Sequence, residues 1–144
     1  MLRGTESRLA DWGDLVTYIR QSYDVIYFEP DEVRIRVSFA DDEDDLLGRR
    51  QIMVVVHEIL DGKEDWVQIA TPFALVHEVD LREVLTEAGN TIVVGGVVLM
   101  GDYVVLRHSL PLINLDINEF TDPLDLVASA AEQLERRFTG RDDY

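Results

Sequence analysis

Three histidines, a run of five acids and a glycine pair are the residues of this chain best equipped for chemistry. His57, His77 and His108 are its only imidazoles, and imidazole both titrates near neutrality and ligates metals. Two of them converging in a pocket would make a general base or part of a metal site. No pair has the i, i+4 spacing of a helical zinc site. His77-Glu78 and Arg107-His108-Ser109 set a base beside a carboxylate and a hydroxyl, but no glycine-flanked serine of the nucleophile-elbow type accompanies them. The run Asp41 to Asp45 offers the hard oxygens that calcium prefers. Its spacing departs from an EF-hand, since no glycine occupies the required position and Ile52 stands twelfth from Asp41 in place of the bidentate glutamate. A solvated acidic loop is the simpler account. Gly95-Gly96, within "IVVGGVV", lacks the Gly-x-Gly-x-x-Gly order and the following helix that would cradle a phosphate. A strand bulge or a close backbone approach explains it better.

The chain contains no cysteine, so disulfides, thiolate metal sites and thiol nucleophiles are excluded together. No cofactor or metal is expected. A length of 144 residues with 47% hydrophobic and 29% charged side chains fits one globular domain, residues 1–144, with one core. The formal charge of -16 repels phosphate backbones and anionic lipid. The basic residues do not cluster: Arg34 with Arg36 and Arg49 with Arg50 are the densest pairs apart from Arg136 with Arg137, each near acids. Neither nucleic acid nor a membrane is an expected partner. With no secretory leader or apolar span, the expected location is the cytoplasm.

What must position these groups follows from hydrophobic spacing. Leu9, Trp12, Val16, Ile19 and Tyr23 recur every three or four residues, which predicts a helix from about residue 6 to 22 with Thr5 or Ser7 as cap. Val33, Ile35, Val37 and Phe39 alternate with polar residues in the clearest strand, and Glu29-Pro30-Asp31 turns it back on a short strand at 25–28. "QIMVVVHEIL" and "WVQIATPFAL", separated by Asp61-Gly62-Lys63-Glu64-Asp65, form a hairpin. Asp80 caps a helix with Leu81, Val84, Leu85 and Ala88 inward and Gly89-Asn90 as its stop. Two further strands meet near Gly101-Asp102, and Asp122-Pro123 opens a terminal helix. The expected fold is α+β, an antiparallel sheet with helices packed on one face, in the order α-β-β-β-β-α-β-β-α.

Such a sheet leaves its second face with Arg34, Arg36 and Glu58, beside apolar residues that have no cover. In "QIMVVVHEIL" both parities are apolar, and Met53 and Val55 are expected on the open strip. The terminal helix carries Leu124, Val127, Ala131, Leu134 and Phe138 along one stripe, with Leu126, Ala128 and Ala130 partly or wholly off it. Arg34, Arg36, Met53, Val55, Leu126 and Ala130 are therefore the candidate protein-binding or dimer surface. Two copies can cover each other's surplus through the terminal helix or the sheet, and the strong acidity keeps such an assembly soluble.

The order of elements, ending in "LRHSLPLINLDINEFTDPLDLVASAAEQLERRFTG", resembles the YbjN family and, more distantly, the class I type III secretion chaperones of the CesT/Tir-chaperone kind. The resemblance runs from about Leu9 to Gly140 and offers no motif from which a binding residue can be carried over. It implies a noncatalytic fold that pairs with itself and, in the secretion branch, holds an extended client along apolar surface. The expected protein is thus a homodimeric, chaperone-like or regulatory interaction module with a client protein or peptide as possible partner. The alternatives are a small enzyme or ligand-binding domain using His57, His77 or His108, and a structural subunit of a larger assembly.

Overall fold

A computed structural model describes residues 8–39, 50–140 and 144 of the chain. The acidic run at 41–45 and the caps Thr5 and Ser7 lie outside the described residues. The elements in chain order are β1 (Arg8–Leu9), α1 (Trp12–Ser22), β2 (Asp24–Glu29), β3 (Glu32–Ser38), β4 (Arg50–Leu60), β5 (Glu64–Leu75), a 3-10 turn at Val76–Glu78, α2 (Leu81–Thr91), β6 (Gly96–Met100), β7 (Tyr103–Pro111), β8 (Leu115–Asp116) and α3 (Ile117–Thr139). Strands β2 to β7 form one antiparallel sheet in the order β2-β3-β4-β5-β7-β6, and β1 pairs with β8 in a separate two-stranded ladder. The architecture is α+β, in the expected order with two short strands added.

Strand pairing assigns the two faces. Val33, Ile35, Met53, Val55, Val67, Ile69, Val104, Leu106 and Leu110 point to one side and share a single core with Trp12, Leu15 and Ile19 of α1, Val84 of α2, and Phe120, Leu124, Val127 and Leu134 of α3. All three helices therefore lie on that side. At roughly 2 kcal/mol per fully buried large apolar side chain, this layer dominates the stability of the fold. Within it, Gln51 is fully buried and donates through Nε2 to Thr71 Oγ1 at 2.7 Å and to Pro72 O at 3.0 Å. These bonds tie β4 to β5 in the direction where cross-strand register is set.

Two helix starts differ from expectation for the same physical reason, a local cap that outcompetes periodicity. Helix α1 begins at Trp12, because Asp11 Oδ1 accepts the Asp14 amide at 2.9 Å while Asp14 Oδ2 accepts the Ala10 amide, also at 2.9 Å. That reciprocal pair leaves Leu9 to the β1–β8 ladder, where it opposes Leu115. Helix α3 begins at Ile117 instead of Pro123: Glu119 Oε1 accepts the Asp116 amide at 2.9 Å in a capping box. Phe120, fully buried, then anchors the first turn. Pro123 falls inside the helix and deprives the Glu119 carbonyl of its partner.

Helix α2 follows expectation at its start, where Asp80 Oδ1 accepts the Arg82 amide at 3.0 Å and the Glu83 amide at 3.3 Å. It runs past Gly89-Asn90 to Thr91, and Leu85, expected inward, is 54% exposed. Asp80→Ala should lower stability by about 1 kcal/mol, seen as an earlier denaturant midpoint with an unchanged slope.

Candidate interaction surface

The second face of the sheet is built from the alternate residues of the same strands. One ladder row crosses all six strands as Tyr27, Arg34, Val54, Ala70, Arg107 and Gly96. Its neighbours on one side are Asp24, Arg36 and Ile52, then Pro72, Val105 and Val98. On the other side lie Glu29, Glu32, Val56, Gln68 and Ser109. None of these side chains belongs to the helix-covered core. The centre of the face is an apolar strip of Ile52, Val54, Val56, Ala70, Pro72 and Val105. Ala70 and Val105 are only 5% and 4% exposed, while Ile52, Val54, Val56 and Pro72 are half-buried.

Charge frames this strip. Arg34 Nε lies 2.6 Å from Glu32 Oε2, and its guanidinium sits 4.4 Å above the Tyr27 ring, so it is held flat against the face. Arg36 pairs with Asp24 at 3.6 Å. Gln68 Nε2 donates to Glu58 Oε1 at 2.7 Å at the far end. Arg34, Arg36, Arg50 and Arg107 against Asp24, Glu29, Glu32 and Glu58 leave this face close to neutral, on a chain whose net charge is -16.

The six residues expected on an interaction surface separate into three places. Arg34 and Arg36 lie on the open face as expected. Met53 and Val55 do not: both are fully buried beneath the helices, and the open positions of β4 are Ile52, Val54 and Val56. Side chains alternate strictly along a strand, so a one-residue error of parity exchanges the whole set. Leu126 is 49% exposed and Ala130 half-buried on the helical side. There they line a shallow groove of about 170 Å³ between α3 and the segment after α2. Ala128, which looked surplus in the sequence, is fully buried core.

The histidines do not converge. His57 lies on β4 and His108 on β7, with β5 between them, opposite Val67 and Ile69 respectively. His77 is exposed in the turn beyond the other end of β5. Burial pushes the His108 imidazole below its ordinary value. His57 is the one imidazole with carboxylate partners on both nitrogens, Asp31 Oδ1 at 3.0 Å from Nδ1 and Asp65 Oδ1 at 2.7 Å from Nε2. Both positions where it could take a proton from a substrate are thus engaged. Among the described residues, no group of three His, Asp or Glu side chains is arranged to hold a metal ion. Gly95 immediately precedes strand β6, not a helix, and its α-carbon faces the Arg107 carbonyl. It is the close backbone approach that its neighbourhood suggested.

Comparison of the chain with protein-family models, with curated proteins and with solved structures yields no match. No helix among the described residues is long and apolar enough to cross a membrane.

Proposed function

We propose that this chain is a noncatalytic protein-interaction module, chaperone-like or regulatory, whose uncovered sheet face packs against a second copy of itself. The observation that supports this reading is the apolar strip of Ile52, Val54, Val56, Ala70, Pro72 and Val105, which no helix among the described residues covers. A sheet face of this kind ordinarily packs on a second layer about 10 Å away.

A second copy fits the charge pattern. Two chains of -16 repel each other at most approaches. On this face, four arginines offset the local acids, so two copies can meet there without stacking carboxylate on carboxylate. A two-fold axis through the strip would bring Arg34 and Arg36 of one copy toward Glu32 or Glu58 of the other, an isologous contact. The resemblance to the YbjN family and to class I secretion chaperones points to the same self-pairing.

A client is the second partner this reading admits, and the β6 edge favours it. Residues 88–101 carry no ionisable group, and Leu99 and Met100 are 53% and 44% exposed. An edge without charge or proline can take an extended peptide as a further strand.

Light scattering over a hundred-fold range of concentration tests the central claim. The expected result is a mass of two chains that falls to one on dilution or on Val54→Asp. A mass of one chain throughout, with Val54→Asp indistinguishable from the parent, would refute it.

A further inference from the structure

A polar cluster is built around His57. Its backbone amide donates to Asp31 O at 2.8 Å, so β4 is fastened to the β2–β3 turn beside the ring. The ring itself lies between two carboxylates from different loops, Asp31 in that turn and Asp65 at the start of β5. Trp12, at the beginning of α1, stacks on it with centroids 5.3 Å apart and planes 10° from parallel. The Trp12 indole N–H donates to Pro30 O at 2.7 Å, which fastens α1 to the same turn. Asp65 O in turn accepts the Leu112 amide at 2.9 Å, linking the cluster to the β7–β8 connection.

A carboxylate can only accept hydrogen bonds, so an imidazole between two carboxylates satisfies both only as the doubly protonated imidazolium. Removing one proton leaves a ring-nitrogen lone pair facing a carboxylate oxygen. One of the two bonds is then replaced by repulsion, and the ring loses the positive charge that favours the Trp12 face. We propose that His57 is a proton-operated latch: protonated, it bolts the β2–β3 turn to the β4–β5 hairpin beneath Trp12, and its deprotonation frees the hairpin.

The surroundings are acidic on every element that packs there. On α1, Asp11 and Asp14 are engaged in capping. In the hairpin, Glu64 accepts the Trp66 indole N–H at 3.2 Å, and Lys63 is the single cation. On β3, Glu32 points to the opposite face, where Arg34 holds it. Burial beneath Trp12 disfavours the charged ring, but the bonds and charges of Asp31 and Asp65 outweigh it and hold the imidazolium above its ordinary range. The sign follows from linkage. A group whose proton is held more tightly in the folded chain contributes its full stability below the unfolded value near 6.5 and loses it as pH rises through the folded value. The hairpin residues Lys63–Trp66 and the facing Pro111–Ile113 line a groove of about 460 Å³. Release of the latch loosens one wall of that groove.

Two measurements test the latch. Nitrogen-detected NMR of the imidazoles should show His57 protonated on both Nδ1 and Nε2 at pH 6.5, titrating at higher pH than His108, with its midpoint lowered by Asp31→Asn. Amide exchange, corrected for its intrinsic pH dependence, should rise several-fold at the β2–β3 turn and at residues 60–65 between pH 6 and 9. That rise should be absent in His57→Gln. A neutral His57 tautomer at pH 6.5, a midpoint at or below that of His108, or equal exchange profiles in parent and His57→Gln would overturn the proposal. None of these outcomes depends on whether the sheet face pairs with a second copy.

Discussion

Val55→Asp should abolish folding, whereas Val54→Asp, one residue away on the same strand, should leave the fold intact and convert the proposed dimer to monomers. Val55 is fully buried between Val33 and Ile69 under the helical layer. The substitution removes about 2 kcal/mol of apolar burial and places a carboxylate among the apolar side chains of the core, a cost of several kcal/mol more. Together these approach the whole stability of an ordinary domain, about 5 to 15 kcal/mol. Val54 faces the other way, in the row between Arg34 and Ala70. In the isolated chain its replacement removes a half-buried methyl pair and gains an arginine neighbour, a loss of about 1 kcal/mol or less. In a two-fold dimer the same change puts two carboxylates into the interface, and a loss of affinity of at least a hundred-fold is expected. Circular dichroism and light scattering on the two variants separate the outcomes: Val55→Asp loses helical signal, and Val54→Asp keeps it while its mass halves. A folded Val55→Asp would refute the facial assignment, and a dimeric Val54→Asp would refute the proposed interface.

That pair of residues also marks the boundary of what the sequence could say. The alternation of Val33 to Phe39, the turn at Pro30-Asp31 and the hairpin at Asp61-Gly62 are local signals, and the structure follows each. Asp61 and Gly62 both adopt positive φ, 54° and 68°, with Lys63 N donating to Leu60 O. That is the primed turn such a dipeptide favours. The parity of β4 is not local. Both of its sides are apolar because one meets the helices and the other is open, so composition could not tell Val54 from Val55. Only the register against β3, which places Arg34 opposite Val54 and Arg36 opposite Ile52, settles it. The connection between these strands spans residues 39–49, too long for turn geometry to fix the pairing from sequence.

The missed helix starts have a different origin. The sequences "ADWGD" and "LDINE" each contain an acid followed three residues later by a second acid, the spacing of a capping pair. The weight given to the Leu9 spacing and to Asp122-Pro123 concealed them. For His57 the sequence carried no usable signal. Asp31 precedes it by 26 residues and Asp65 follows it by 8, and the stacked Trp12 lies farther off still. Nothing but the pairing of the β2–β3 and β4–β5 hairpins under α1 brings these four side chains together. An isolated histidine in an apolar strand was therefore legible as partly buried, but not as doubly bonded.

The second large effect expected is at Gly95, where substitution should cost about three times as much as at a glycine in open space. Gly95 has φ of +86°, and a Cβ built there would stand 2.8 Å from the Arg107 carbonyl oxygen and 3.4 Å from the His108 Cβ. Gly62 has φ of +68° and nothing within 4 Å. Alanine at Gly62 therefore meets only the backbone penalty of the left-handed region, about 1 kcal/mol. Alanine at Gly95 meets that penalty and a collision with a main-chain oxygen that is fixed by the Gly96–Arg107 pairing of β6 and β7, for a total of about 3 kcal/mol. In thermal unfolding this corresponds to a drop of roughly 10 °C for Gly95→Ala against roughly 3 °C for Gly62→Ala. Because the oxygen cannot retreat without moving β7, relief comes most easily by shifting β6, the edge strand. Amide protection at residues 97–100 should therefore fall more than protection in β3 or β4. Equal losses at the two glycines would show that the β6–β7 approach is looser than 2.8 Å implies, and with it the packing that presents Arg107 on the open face.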